Sequence, residues 1–106
     1  MGQRISAETL YHHLRAGVRL TLIDVRWSQL GEIPGAVHVP VIDLEDIPRP
    51  WPQDEDLVVF CQQGRGVGDY AAEVLEEQGY TRVLVLEGGL DAYLRVVNEK
   101  AANAQP

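Results

Sequence analysis

A chain of 106 residues with 16 Asp and Glu against nine Lys and Arg, and a net charge of −7, can bury one hydrophobic core but not two. The cations are scattered rather than gathered into a patch, which excludes general binding to nucleic acid or an acidic membrane. One cysteine excludes an internal disulfide, no apolar run reaches membrane-spanning length, and the N-terminus lacks the apolar stretch of a signal peptide, so the cytoplasm is the default location.

Taken in order, the chain first predicts a short amphipathic helix. Ser6 is the N-cap, Glu8 complements the dipole in the first turn, and Ala7, Leu10, Tyr11 and Leu14 share one face before Gly17. His12 and His13 are adjacent, so they project about 100° apart and do not both face one metal. They read as solvated or half-packed. Leu20–Val25 (LTLIDV) is a buried strand, followed by Arg26 and Trp27. Ile33-Pro34-Gly35 suits a type II turn. Ala36–Val39 is a second strand in which His38 faces away from the valines, as a packed, hydrogen-bonded residue. Val41–Ile47 gives a turn of helix at most, since Pro48, Pro50 and Pro52 follow. Trp51 among those prolines reads as an anchor to the core, and Asp54-Glu55-Asp56 as a solvated turn.

The richest stretch is Leu57–Gly79. A continuous apolar run, Leu57-Val58-Val59-Phe60, ends at Cys61, and Gly64, Gly66 and Gly68 follow before a helix whose stripe is Val67, Ala71, Val74 and Leu75. Strand, glycine-rich turn and helix together aim backbone N–H groups at an anion. A thiol placed at the mouth of such a turn is favoured as thiolate, the nucleophilic form. Free cysteines are often buried and inert, but this position argues for chemistry. Arg82–Leu86 (RVLVL) is a further buried strand. Gly88-Gly89 opens a last helix with Leu90, Tyr93, Leu94 and Val97 on its apolar face. From Asn98 the composition turns small and polar, which divides the chain into a domain over residues 1–97 and a flexible tail over 98–106.

Val/Leu-rich strands separated by helices predict an α/β fold with a mostly parallel sheet covered on both faces. Ligands of such sheets bind beyond the carboxyl ends of the strands, where Cys61 sits.

Four motifs, LIDVR at 22–26, IPGAVHVP at 33–40, VVFCQQGRG at 58–66 and LEGGLDAY at 86–93, together resemble the single-domain rhodaneses, the rhodanese-like sulfurtransferases. The resemblance implies a central, largely parallel five-stranded sheet with helices on both faces. It implies that Cys61 takes sulfane sulfur from a donor such as thiosulfate, becomes a persulfide, and passes the sulfur to cyanide, a thiol or a protein acceptor. It implies an active-site loop of Cys61, Gln62, Gln63, Gly64, Arg65 and Gly66, with Val67 adjoining, and no cofactor or metal. The chain departs from the family where Gly66 and Val67 replace a common Arg and Ser or Thr, and where Glu32 replaces a His before IPGA. Asp69, in the first turn of the following helix, either caps that helix or opposes a thiolate nearby.

Arg65 is read as the positive charge that pairs with an anionic donor, against the plainer role of a solvent-facing loop arginine. Asp24 and Arg26 are read as an ion pair at the strand end, with a supporting place at the substrate mouth second to that. Two other functions compete. One is a sulfur-carrier or interaction module with little turnover. The other is phosphatase or arsenate reduction, which related folds perform with a longer loop; cysteine phosphatases place arginine six positions after the cysteine, where this chain has Val67.

Overall fold

The computed structural model describes residues 3–27, 33–46, 50–64 and 66–103. Among the described residues nine elements follow one another: β1 (Gln3–Ile5), α1 (Ala7–Arg15), β2 (Thr21–Asp24), β3 (Val37–His38), α2 (Val41–Asp46), β4 (Leu57–Phe60), α3 (Val67–Glu77), β5 (Val83–Leu86) and α4 (Gly89–Asn103). The five strands form one sheet in the order β1-β5-β4-β2-β3, and every pairing is parallel.

Side-chain alternation along the strands explains the two-sided core. Leu57 and Val59 of β4 join Ile23, Val83 and Val85 against Leu44 of α2 and Ala71, Ala72 and Leu75 of α3. Val58 and Phe60 point the other way and join Leu22 and Leu86 against Leu10 of α1 and Leu90 and Tyr93 of α4. All four residues of β4 are fully buried, as expected of a central parallel strand. Trp51 packs against the first cluster, edge-on to Tyr80 at 6.2 Å between ring centroids, and anchors its loop as expected.

Three boundaries differ from the sequence reading. β1 escaped it because three residues are too few to show a period; its Arg4 pairs in register with Val85. α2 is a six-residue helix where a single turn was expected. α4 continues to Asn103, past the expected start of a tail at residue 98. Ala101 and Ala102 are strong helix formers, and Lys100 Nζ donates to Glu8 Oε1 at 3.0 Å, tying this part of α4 to α1. Residues 104–106 lie outside the described residues.

The topology fixes where a ligand can reach. From β2 the chain moves outward to β3, whereas from β4 it moves the opposite way to β5. The connections leaving the carboxyl ends of β2 and β4 therefore diverge and open a crevice between neighbouring strands. Asp24 and Arg26 stand on one side of it and Cys61 on the other.

Candidate active site

β4 ends where its ladder ends: the Phe60 carbonyl accepts from Val25 N–H at 3.1 Å. The chain then turns sharply, and the Gly64 N–H reaches back to donate to Cys61 Sγ at 3.0 Å. Cys61 is nearly buried, 7% exposed. The first-turn N–H groups of α3 lie just beyond, behind Gly66, which caps the helix without a side chain.

A second helix fixes the turn from behind. At the start of α4, Leu90 N–H donates to the Cys61 carbonyl at 2.9 Å and Asp91 N–H to the Gln62 carbonyl at 3.0 Å. These amides have no partner inside their own helix, so the loop caps α4 while α4 positions the loop. The approach is close enough to require glycine. A Cβ on Gly89 would lie 2.5 Å from the Cys61 carbonyl oxygen, and one on Gly64 would lie 2.9 Å from Gly88 N; both residues also have positive φ, +62° and +72°.

Asp24, fully buried, and Arg26, 6% exposed, form the ion pair expected at the strand end. Arg26 Nε donates to Asp24 Oδ1 at 2.9 Å and Nη2 to Oδ2 at 2.7 Å, a two-pronged contact that suits a planar guanidinium. The hydrogen-bonded Asp24 carboxylate raises the Arg26 guanidinium above the ordinary arginine value against the opposing effect of burial, with Asp91 and Cys61 adding to the rise. The pair also reaches the site. Arg26 Nη1 donates to Gln62 Oε1 at 2.6 Å, and Gln62 Nε2 donates to Asp91 Oδ1 at 2.6 Å. Gln62 thus joins the ends of β2 and β4 to the start of α4. His38 Nε2 donates to the Arg26 carbonyl at 2.7 Å, the hydrogen bond expected of it, but the residue is exposed rather than packed, because β3 is an edge strand.

A cavity of about 360 Å³ opens beside the thiol, lined by Arg26, Trp27, Cys61, Gln62, Gln63 and Val67. The structure therefore brings together Cys61, Gln62, Gln63, Arg26 and Val67, with Gly64 beneath the sulfur and Gly66 at the head of α3. Asp24 stays behind Arg26. Val67, placed by periodicity on the buried stripe of α3, is 43% exposed and lines the cavity instead. Arg65 and Glu32 lie outside the described residues. Asp69 neither caps α3 nor stands unpaired: Arg4 Nη2 donates to both its carboxylate oxygens, at 2.8 and 3.0 Å. The sequence reading gave no site role to Trp27, which is 81% exposed, or to Asp91. The signal for Asp91 was its motif, two residues after Gly89; Trp27 gave none beyond its place after Arg26.

Among the described residues no group of three or more His, Cys, Asp or Glu is arranged to hold a metal ion, and no helix is long and apolar enough to cross a membrane.

The comparisons with known proteins agree with this geometry. The profile of the rhodanese-like domain matches residues 6–95. A sulfurtransferase of Allochromatium vinosum is 33% identical over 102 residues, covering 90% of this chain and 91% of that protein. A putative sulfur carrier protein of Bacillus subtilis, YrkF, is 27% identical over 81% of this chain, which spans about half, 48%, of that longer protein. Among solved structures, the human single-domain sulfurtransferase TSTD1 superposes with a TM-score of 0.76 at 28% identity, over 90% of this chain and 97% of that one. A parallel five-stranded sheet, a cysteine turn at its carboxyl edge and a match spanning most of the sequence place this chain in the rhodanese-like domain family, whose members include sulfurtransferases.

Proposed function

We propose that the protein is a sulfurtransferase that works through a persulfide on Cys61. The observation that carries this is the Gly64 N–H directed at Cys61 Sγ at 3.0 Å, on a sulfur that opens to a cavity at the crevice between β2 and β4. An N–H so placed stabilises negative charge on Sγ in the thiolate that attacks the donor and in the thiolate that is returned. With thiosulfate as donor, the Cys61 thiolate attacks the outer sulfur. A new S–S bond forms, the donor's own S–S bond breaks, and sulfite leaves with the electron pair. A thiol, a protein thiol or cyanide then attacks the terminal sulfur, takes it, and returns the thiolate. The buried Arg26, held by Asp24, places fixed positive charge beside this sulfur throughout. The residues assigned to substrate contact are Gln62, Gln63, Gly64, Arg65, Gly66 and Val67, and the reaction calls for no cofactor. A lone thiol without a disulfide partner suits the reducing cytoplasm, where we place the reaction.

Intact-mass measurement after incubation with thiosulfate tests the reading. The wild type should gain one sulfur atom and Cys61→Ser none; a gain that survives in Cys61→Ser would sink it. The likeness to a putative sulfur carrier favours a second reading, in which the persulfide forms but turns over little. Rapid conversion of thiosulfate and cyanide, lost in Cys61→Ala, would exclude that second reading.

A further inference from the structure

A second cavity, which shares no lining residue with the one at Cys61, lies in the groove between α1 and α4. Its volume is about 600 Å³, within the roughly 300–1,000 Å³ range of pockets that take organic ligands. Along α4 it is lined by Leu94, Val97 and Ala101, spaced three and four residues apart on one stripe of the helix. Leu94 belongs to the apolar face of α4 yet is 39% exposed, so packing on the sheet leaves part of that stripe uncovered.

Two polar groups of the lining have no partner of their own. Tyr93 is 7% exposed, yet its hydroxyl makes no hydrogen bond among the described residues, a state that native structures avoid for buried polar groups. Burial raises the Tyr93 phenol above the ordinary tyrosine value, Tyr11 adds to the rise and Arg15 opposes it. Both neighbours also line the groove, so the hydroxyl lies on its side of the ring. Arg15 forms no ion pair among the described residues and stands over the Tyr11 ring, 5.5 Å from its centroid. Lys100, also in the lining, is answered by Glu8 at 3.0 Å, and no carboxylate is among the described lining residues. The groove therefore joins an apolar stripe to an unanswered cation and an unanswered hydroxyl.

We propose that this groove is a second ligand site, which takes an organic monocarboxylate with an apolar body. The carboxylate accepts from the Tyr93 hydroxyl and from the Arg15 guanidinium, a charge-assisted pairing. The body lies along Leu94, Val97 and Ala101, against the Tyr11 ring. A monoanion fits better than a dianion, because Arg15 alone among the described lining residues is free to answer it and the chain as a whole carries −7. Binding is reversible and makes no use of the thiol.

Isothermal titration calorimetry of the full chain with phenylbutyrate tests the site, with phenylbutanol as the probe that lacks the charge and acetate as the one that lacks the body. Phenylbutyrate should bind one to one with a dissociation constant of about 1 mM or below, and each control about tenfold more weakly or worse. Arg15→Gln and Tyr93→Phe should each weaken it about tenfold. Tyr93→Phe should do so without lowering the urea midpoint, since the free protein loses no hydrogen bond with that hydroxyl. Leu94→Asp, at an exposed position, should abolish binding, and Cys61→Ser should leave it unchanged. No binding at about 10 mM, equal affinity for the alcohol, or full affinity in either Arg15→Gln or Tyr93→Phe would overturn the site. So would binding that survives Leu94→Asp or disappears in Cys61→Ser, which would put the ligand elsewhere. A concentration-dependent dimer that Leu94→Asp splits would overturn it as well, giving the groove to a second copy of the chain. Sulfur gain at Cys61 is read separately by intact mass and stands or falls independently of these titrations.

Discussion

Single atoms decide whether the thiol is held where the crevice opens. Gly89 has no room for a methyl group, because the Cys61 and Gln62 carbonyls occupy that space. Gly89→Ala should cost about 1–3 kcal/mol, since it adds a clash to a backbone conformation that side chains disfavour, and should alter the alkylation rate of Cys61 by iodoacetamide. Urea denaturation and a timed alkylation measure the two effects. Gln62 makes a different case. Gln62→Leu leaves Arg26 and Asp91 without their bridge but keeps the volume, so persulfidation should slow roughly tenfold by misplacement while the melting temperature changes little. Asp24→Ala belongs to the stability side of the same network. It strands the buried Arg26 charge and should cost about 3–5 kcal/mol, visible as a lowered denaturation midpoint.

Elements matter here through their ends more than their middles. Helices α3 and α4 both start at the cysteine turn, one beyond it and one behind it, while their far turns pack on the sheet or reach solvent. The sequence showed most of this frame because strands that alternate into two cores must be continuously apolar, and helices that cover them must carry a stripe. It did not show β1, or the Arg4–Asp69 pair that β1 brings across 65 positions of sequence. Nor did it show the Arg26–Gln62–Asp91 bridge, because contacts between the ends of distant elements leave no period to read. Cys61 was legible for the opposite reason: its chemistry depends on a local turn. The link between α1 and α4 gives a pH-dependent prediction. The Lys100 ammonium, bonded to Glu8, holds that carboxyl below the ordinary carboxylate range. A carboxyl lowered on folding stabilises the fold above its unfolded value, and that help is lost as pH falls through the folded value. Lys100→Ala should therefore lower the melting temperature slightly at neutral pH, by an amount that shrinks as pH falls through the folded Glu8 value, measured by circular dichroism.

At the scale of the whole molecule, a net charge of −7 repels the anions proposed as substrates. Among the described residues that line the cavity at Cys61 the positive charge is Arg26, which is buried and paired, so it does little to steer ligands from a distance. Association of a dianion should then speed up as salt is added, since screening shortens the reach of the repulsion from about 30 Å at 0.01 M to about 8 Å at 0.15 M ionic strength. Initial persulfidation rates with thiosulfate across a potassium chloride series should rise, and rise more steeply than with a monoanionic thiosulfonate. A rate that falls with salt would instead point to an attractive field at the mouth.

The hydrogen bonds from Leu90 and Asp91 to the Cys61 and Gln62 carbonyls have a further consequence for what an observer can see. They turn two backbone protons, on a helix separate from the loop, into a gauge of the loop itself. Either proton can exchange with deuterated solvent only when the cysteine turn and α4 part. Their exchange rates thus report how often the turn opens, without a label on the sulfur and without any substrate present. Slowed exchange at these two positions when sulfur is loaded, against unchanged exchange deep in β4, would mark the loaded turn as the more tightly closed one.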